Sequence, residues 1–182
     1  LHYRDEDGRV ATPLPRLAGP HQPMNMALAI AMLRHQRAVP VSEAALHAAP
    51  LWATWPARLQ RLTKGPLVQK LGGAGREIWL DGGHNPAAGE ALAAHFTPER
   101  LAGRKLILLI GMLANKDMAG FLSSLRDRIG AIYSVPVEGH AHHEAPAFAA
   151  LAGKWDIRHQ TCRDVDAAAR VIGDDEIGRA HV

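Results

Sequence analysis

Cysteine is nearly absent from this chain. Its 182 residues include one, Cys162, so no internal disulfide can form, which fits a reducing compartment. Aromatic residues are sparse, at 5%. Apolar runs such as Leu106 to Ile110 fall far short of the about 20 residues that a membrane-spanning helix needs, and no charged-then-apolar leader opens the chain. Neither sign of charge dominates. The formal net charge of +3 gives a nucleic-acid interface little support and suits an anionic small molecule. No Gly-x-x-x-x-Gly-Lys-Ser/Thr phosphate loop occurs; Gly72-Gly73-Ala74-Gly75 lacks the lysine and reads as a hairpin turn. There is no internal repeat and no low-complexity tract. What remains is a globular composition, 47% hydrophobic and 21% charged, of a length for one domain or one domain plus a piece of another.

The two ends suggest a piece of a longer protein. The chain opens on Leu1, and Glu176 to Val182 matches what a common sequencing-adapter stretch encodes. The expectation is that residues 176–182 are a non-native tail.

Hydrophobic periodicity divides the rest in two. A polar hairpin-like stretch, Tyr3 to Arg9, precedes a loop and a long helix between Ala18 and about Arg37, on which Met24, Leu28, Ala31 and Met32 share a face. Pro40 ends that helix, and Ser42 opens a second one through Ala49. Leu51 to Leu62 has no clean period, carries Trp52 and Trp55 ahead of Pro56, and reads as an ordered linker. It leads into a short strand pair, Leu67–Leu71 and Glu77–Leu80, about the Gly72–Gly75 turn.

From Glu77 onward strands and helices alternate. The pattern predicts strand Ile78–Leu80 and helix Pro86–His95, then strand Lys105–Ile110 and helix Asp117–Ile129. Strand Ala131–Val135 and helix Ala145–Gly153 follow, then strand Asp156–His159 and helix Asp164–Ile172. Continuous apolar strands between amphipathic helices predict an α/β fold with a mostly parallel sheet, helices on both faces and right-handed crossovers, which is Rossmann-like.

The densest signal is Leu80-Asp81-Gly82-Gly83-His84-Asn85-Pro86-Ala87. A strand ends, the backbone turns on two glycines, and a helix starts with Asn85 at the cap and Pro86 in its first turn. Asp81, His84 and Asn85 are left at the carboxyl end of a strand, where open α/β sheets bind ligands. By spacing alone this is equally a well-capped strand-to-helix turn.

Three further motifs flank it: Gly19-Pro20-His21-Gln22-x-x-Asn25, Trp55-Pro56-x-Arg58-Leu59-Gln60 and Gly111-Met112-Leu113-x-x-Lys116-Asp117. In this order and spacing, from Leu14 to about Ile172, the four resemble the C-terminal part of the folylpolyglutamate synthase/dihydrofolate synthase family, within the Mur ligase superfamily. The resemblance implies a remnant of a central ATPase domain over residues 1–50, a linker over 51–65 and a Rossmann-like Mur ligase C-terminal domain over 66–175. It implies an ATP-dependent ligase that transfers the γ-phosphate to a pterin-linked carboxylate, whose acyl phosphate is then attacked by the amine of L-glutamate. Dihydropteroate and tetrahydrofolate or its polyglutamate are the implied acceptors. ATP and Mg2+ are the implied cofactors, with the phosphate loop, the metal ligands and a modified lysine in the missing N-terminal region and no metal site here. The fragment alone is expected to be inactive. The implied whole is a cytoplasmic monomer that binds small molecules, with no nucleic-acid or membrane partner. A cell-wall amide ligase of the same superfamily and a non-catalytic Rossmann-like nucleotide-binding domain are the alternatives.

The resemblance also implies residue roles. Arg58 is the candidate catalytic cation, because a planar, permanently charged fork can engage two phosphoryl oxygens. Asn25 suits the adenine edge, Asp81 the ribose hydroxyls, and His84 the nucleotide and the incoming amino acid. Arg58, Asn25, Asp81 and His84 form the implied ATP site, with Arg58 and His84 catalytic. Lys116 is a candidate for glutamate or folate carboxylates. Without the motifs, Arg58 reads as an ion-paired surface residue, Asn25 as a turn former and Lys116 as solvated. His21 and Gln22 shape their loop, and Asn85 and Asp117 are helix caps. The tract His140-x-His142-His143-Glu144 has a metal-binding composition without the spacing of a helical two-histidine zinc site. Cys162 has no activating neighbour and reads as inert.

Overall fold

The structure, a computed structural model, describes residues 1–71 and 75–174. It divides into two units, Leu1–Gln60 and Arg61–Val182. Most of the Gly72–Gly75 turn and all of the expected tail lie outside the described residues.

In the first unit, β1 (His2–Asp5) and β2 (Gly8–Ala11) form an antiparallel hairpin that pairs Tyr3 with Val10 and Asp5 with Gly8. Helix α1 spans Gln22–His35 and α2 spans Glu43–Trp52, where the Ser42 hydroxyl accepts from the Ala45 amide at 3.2 Å. Met26 and Ile30 of α1 pack with Val10 and Leu46. The face picked out by periodicity is the wrong one for this core: Met24, Leu28 and Met32 are 66%, 57% and 74% exposed. Residues 26–33 are all apolar, so two helical stripes fit the same window and spacing cannot choose between them. Arg34 donates both Nε and Nη2 to the Asp5 carboxylate at 2.7 and 2.8 Å, tying helix to hairpin. That guanidinium holds the Asp5 carboxyl below its ordinary range.

In the second part of the chain, β3 (Gln60–Leu62) pairs with β4 (Ile78–Leu80). Between them lies α3 (Pro66–Lys70), where a strand over Leu67–Leu71 was expected. The correction has a local cause. Gly65 takes φ 111°, which only glycine adopts readily, and Pro66 then sits at a helix start. Leu67 and Leu71, one helical turn apart, pack in one cluster with Ala168, Ala169 and Ile172.

The remaining elements are α4 (Pro86–His95), the short α5 (Pro98–Leu101), β5 (Leu106–Ile110) and α6 (Met118–Ser123). A 3-10 turn over Arg126–Arg128 precedes β6 (Ile129–Ser134), α7 (Ala145–Lys154), β7 (Arg158–Thr161) and α8 (Val165–Asp174). The helix expected through Ile129 therefore stops six residues early. Leu125 stays buried through the 3-10 turn and Ile129 opens a strand, so the apolar pattern continues while the backbone changes.

Strands β5, β6 and β7 form a parallel sheet in that order. Side chains alternate between its faces, as strand geometry requires. Leu108, Ile110 and Ile132 join Ala93, Phe121, Leu122 and Phe148 from α4, α6 and α7. Ile107, Leu109, Ala131 and Tyr133 face α3 and α8. Helices on both faces of a parallel sheet give the expected Rossmann-like α/β arrangement. Among the described residues no helix is long and apolar enough to cross a membrane.

Candidate functional site

Strand β4 delivers Asp81 to a tight turn. Its Oδ1 accepts from the Gly83 amide at 2.7 Å, and the Asn85 side chain accepts from the Ala88 amide at 2.9 Å, capping α4 as expected. His84 stands exposed between them, with Nδ1 2.9 Å from the Gly82 carbonyl. A carbonyl only accepts, so the neutral ring carries its proton on Nδ1 and leaves Nε2 as an acceptor. Gly83 is required by space. A Cβ there would stand 2.8 Å from Asp81 Oδ1 and 3.1 Å from the Phe121 ring.

That ring belongs to α6, so the Asp81–Pro86 turn lies beside the start of α6. A Cβ on Gly120 would be 2.8 Å from Pro86 Cγ. Asp117 caps α6, its Oδ1 accepting from the Gly120 amide at 2.8 Å. Lys116 precedes it in a half-buried position, and its carbonyl accepts from the Met118 amide at 3.0 Å and from His143 Nε2 at 2.8 Å. The structure thus brings the motifs carrying Asp81, His84 and Lys116 together through glycine contacts. In the sequence His143 is one residue of a histidine tract, and no local signal marks its long-range bond.

Asn25 and Arg58 lie in the first unit. Asn25 is exposed in the first turns of α1, with Nδ2 donating to Gln22 Oε1 at 3.3 Å, and Gln22 Nε2 lies 3.1 Å from His21 Nε2. Gln22 is only 5% exposed and His21 is half-buried, so the two form the inner side of the helix start that carries Asn25. Arg58 is exposed and has no ion-pair partner among the described residues, unlike the surface arginine that motif-free reasoning suggests. Its neighbours Ala57 and Leu59 take φ 55° and 43°. Such left-handed, non-glycine backbone costs on the order of 1–3 kcal/mol per residue and persists where the surroundings impose it. Here Leu59 is 3% exposed, a Cβ on Gly19 would stand 3.0 Å from its Cδ1, and Gln60 Oε1 accepts from the Ala57 amide at 3.1 Å. The first two motifs are therefore packed together, with Leu59 buried where they meet.

Among the described residues, Asp5, Asp7 and His35 are close enough to share an ion. Asp5 is already engaged by Arg34, so a cation there would face a fixed positive charge, and the set fits Mg2+ poorly. In the histidine tract, His142 Nδ1 lies 2.8 Å from the His140 carbonyl and His143 is committed to Lys116. Burial pushes the Cys162 thiol up, with Asp164 adding to it, which disfavours the reactive thiolate.

A family model, the Mur ligase glutamate ligase domain, matches residues 67–176. The folylpolyglutamate synthase of Lacticaseibacillus casei is 29% identical over 140 residues, 75% of this chain and 30% of that protein. The dihydrofolate synthase/folylpolyglutamate synthase of Escherichia coli (strain K12) is 33% identical over 127 residues, 70% of this chain and 26% of that protein. The chain thus spans less than a third of these curated relatives. The solved structure of E. coli FolC in complex with ADP, without folate substrate, superposes with a TM-score of 0.70 at 28% identity, covering 96% of this chain and 38% of that one.

Proposed function

The chain belongs to the Mur ligase family through its glutamate ligase domain, and from that premise we propose that it is the C-terminal part of an ATP-dependent ligase that joins L-glutamate to dihydropteroate, to tetrahydrofolate or its polyglutamate, or to both. The observation that carries this reading is the Asp81–Asn85 turn at the end of β4, inside the span of the family match.

A carboxylate does not react with an amine at neutral pH, so the acceptor must first be activated. ATP supplies a phosphoryl group to the acceptor carboxylate. The glutamate nitrogen then forms a bond to the acyl carbon, the carbon–oxygen bond to phosphate breaks, and the phosphate departs with a former carboxylate oxygen. The amine must lose a proton on the way. His84 Nε2, left as an acceptor by the Gly82 contact, is the group assigned to take it. Arg58 meets the developing charge on the phosphoryl oxygens, where a fixed donor contributes on the order of 3 kcal/mol. Asn25 meets the adenine edge, Asp81 the ribose hydroxyls and Lys116 a substrate carboxylate. Mg2+ ligands and a phosphate loop belong to a region of the polypeptide beyond this chain. We place the whole protein in the cytoplasm, as a monomer.

The test is glutamate-dependent ADP release by the gene product restored to the length of its relatives, with dihydropteroate and tetrahydrofolate as separate acceptors. Release with both identifies a bifunctional folate ligase, and release with one fixes the branch. A folded protein that releases ADP with neither refutes the reading and leaves a cell-wall ligase or a non-catalytic nucleotide-binding domain.

A further inference from the structure

The loop after β6 is held across the loop after β5. The Ala114 amide donates to the Ala141 carbonyl at 3.0 Å, the His143 amide to the Met112 carbonyl at 2.9 Å, and Leu113 and His142 form an antiparallel bridge. These are backbone contacts that any residues can make. One contact depends on a side chain: His143 Nε2 donates to the Lys116 carbonyl at 2.8 Å. The His143 ring is half-buried and edge-on to Phe148, with centroids 6.4 Å apart and planes at 81°, and Phe148 is 1% exposed. Packing therefore fixes the ring that fixes the carbonyl.

We propose that His143 is a positioning residue for Lys116, locking the turn from which that lysine meets a substrate carboxylate. The proposal rests on the ligase reading above. The Lys116 carbonyl takes two bonds, from Met118 N and from His143, and Asp117 next to it is held by its cap on Gly120. With the Lys116 amide donating to the Leu113 carbonyl at 3.0 Å on one side of its Cα and its own carbonyl held on the other, the Cα–Cβ direction of Lys116 is set. Gly120 and Phe121 of α6, which the turn leads into, abut Pro86 and Gly83, so the start of α6 is registered against the His84 turn.

The test compares His143→Ala, His143→Gln and His143→Glu in the gene product restored to the length of its relatives. Gln carries an amide donor at similar reach, and Glu has the same shape without a donor at neutral pH. Loss of one such hydrogen bond corresponds to roughly a two- to tenfold effect. His143→Ala and His143→Glu should raise KM for glutamate or for the folate acceptor by that factor, leave KM for ATP unchanged, and speed hydrogen exchange across residues 112–117. His143→Gln should restore both readouts to within about twofold. The co-substrate whose KM rises is the one whose carboxylate Lys116 meets. Unchanged KM values, an equal rise in all three, or no rescue by glutamine overturns the proposal. A wild-type protein without glutamate-dependent ADP release instead overturns the ligase reading, and the proposal with it.

Discussion

Two glycines that are equivalent by helix propensity should respond in opposite directions to the same substitution. Gly89 is buried in α4, and a Cβ there would penetrate the Phe121 carbonyl of α6 and stand 3.0 Å from its carbonyl carbon. Ordinary contacts lie at about 3.5–4.0 Å, so α4 and α6 must separate by roughly 1 Å or more to admit the methyl group. Exchange for alanine gains at most about 1 kcal/mol in propensity. Overpacking costs about 1–3 kcal/mol, and separation also loosens Ala88, Leu92 and Ala93 from the core they share with Phe121 and Leu122. The net expectation for Gly89→Ala is a loss of about 1–2 kcal/mol, or roughly 2–8 °C in Tm for a chain of this size. Gly153, exposed in α7, has nothing within 4 Å of its added Cβ, so Gly153→Ala should gain up to about 0.5–1 kcal/mol. Urea unfolding with unchanged m-values reads both. A Gly89→Ala protein as stable as its parent would refute the account of how α4 and α6, and with them the His84 and Lys116 turns, are held together.

Other expectations follow from single contacts. Asn85→Ala removes the acceptor for the Ala88 amide and should cost about 1 kcal/mol, with Asn85→Ser retaining most of it; equal losses for both variants would deny the cap. Burial lowers the His159 pKa below its ordinary value, so the unfolded chain binds more protons than the folded one as pH falls below about 6.5. Its contribution is fully present above that pH and is lost as pH falls toward the depressed value. The urea midpoint should therefore fall between pH 8 and pH 5.5, less steeply in His159→Gln; parallel curves would sink the assignment. In the restored gene product, Arg58→Ala should mainly lower kcat, by about 10²–10³ if it engages transferring phosphoryl oxygens, whereas Asn25→Ala should mainly raise KM for ATP. Small and equal effects would refute that division of labour.

The capped turns were legible because their physics is local. Asn85 with Pro86, Ser42 and Asp117 act within three residues, and each side chain accepts the amide bond that its position in the sequence suggested. Strands β5 and β6 were legible because buried parallel strands are continuously apolar, whereas β7, Arg158–Thr161, is polar in sequence and lies two residues beyond the expected Asp156–His159. What stayed hidden depends on partners distant in sequence. Leu67 and Leu71 read as strand until α8 supplies a helical neighbour. The burial of Met26 and Ile30 in place of Met24 and Met32 is decided by Val10 and Leu46. The same holds at the candidate site. The motifs named Asp81, His84 and Lys116, but not the glycine contacts that set their turns side by side, nor the His143 bond across 27 residues. The left-handed backbone around Arg58 likewise has no sequence signature, since neither Ala57 nor Leu59 favours it.

The proposed chemistry turns on activation of the acceptor carboxylate by phosphoryl transfer before the glutamate amine attacks. The measurement that tests it most directly uses an acceptor whose carboxylate carries heavy oxygen, turned over by the restored gene product with ATP and glutamate. Mass spectrometry of the released inorganic phosphate then locates the label. One labelled oxygen in the phosphate is expected for each amide formed. Unlabelled phosphate, with ADP released whether or not glutamate is present, would contradict it.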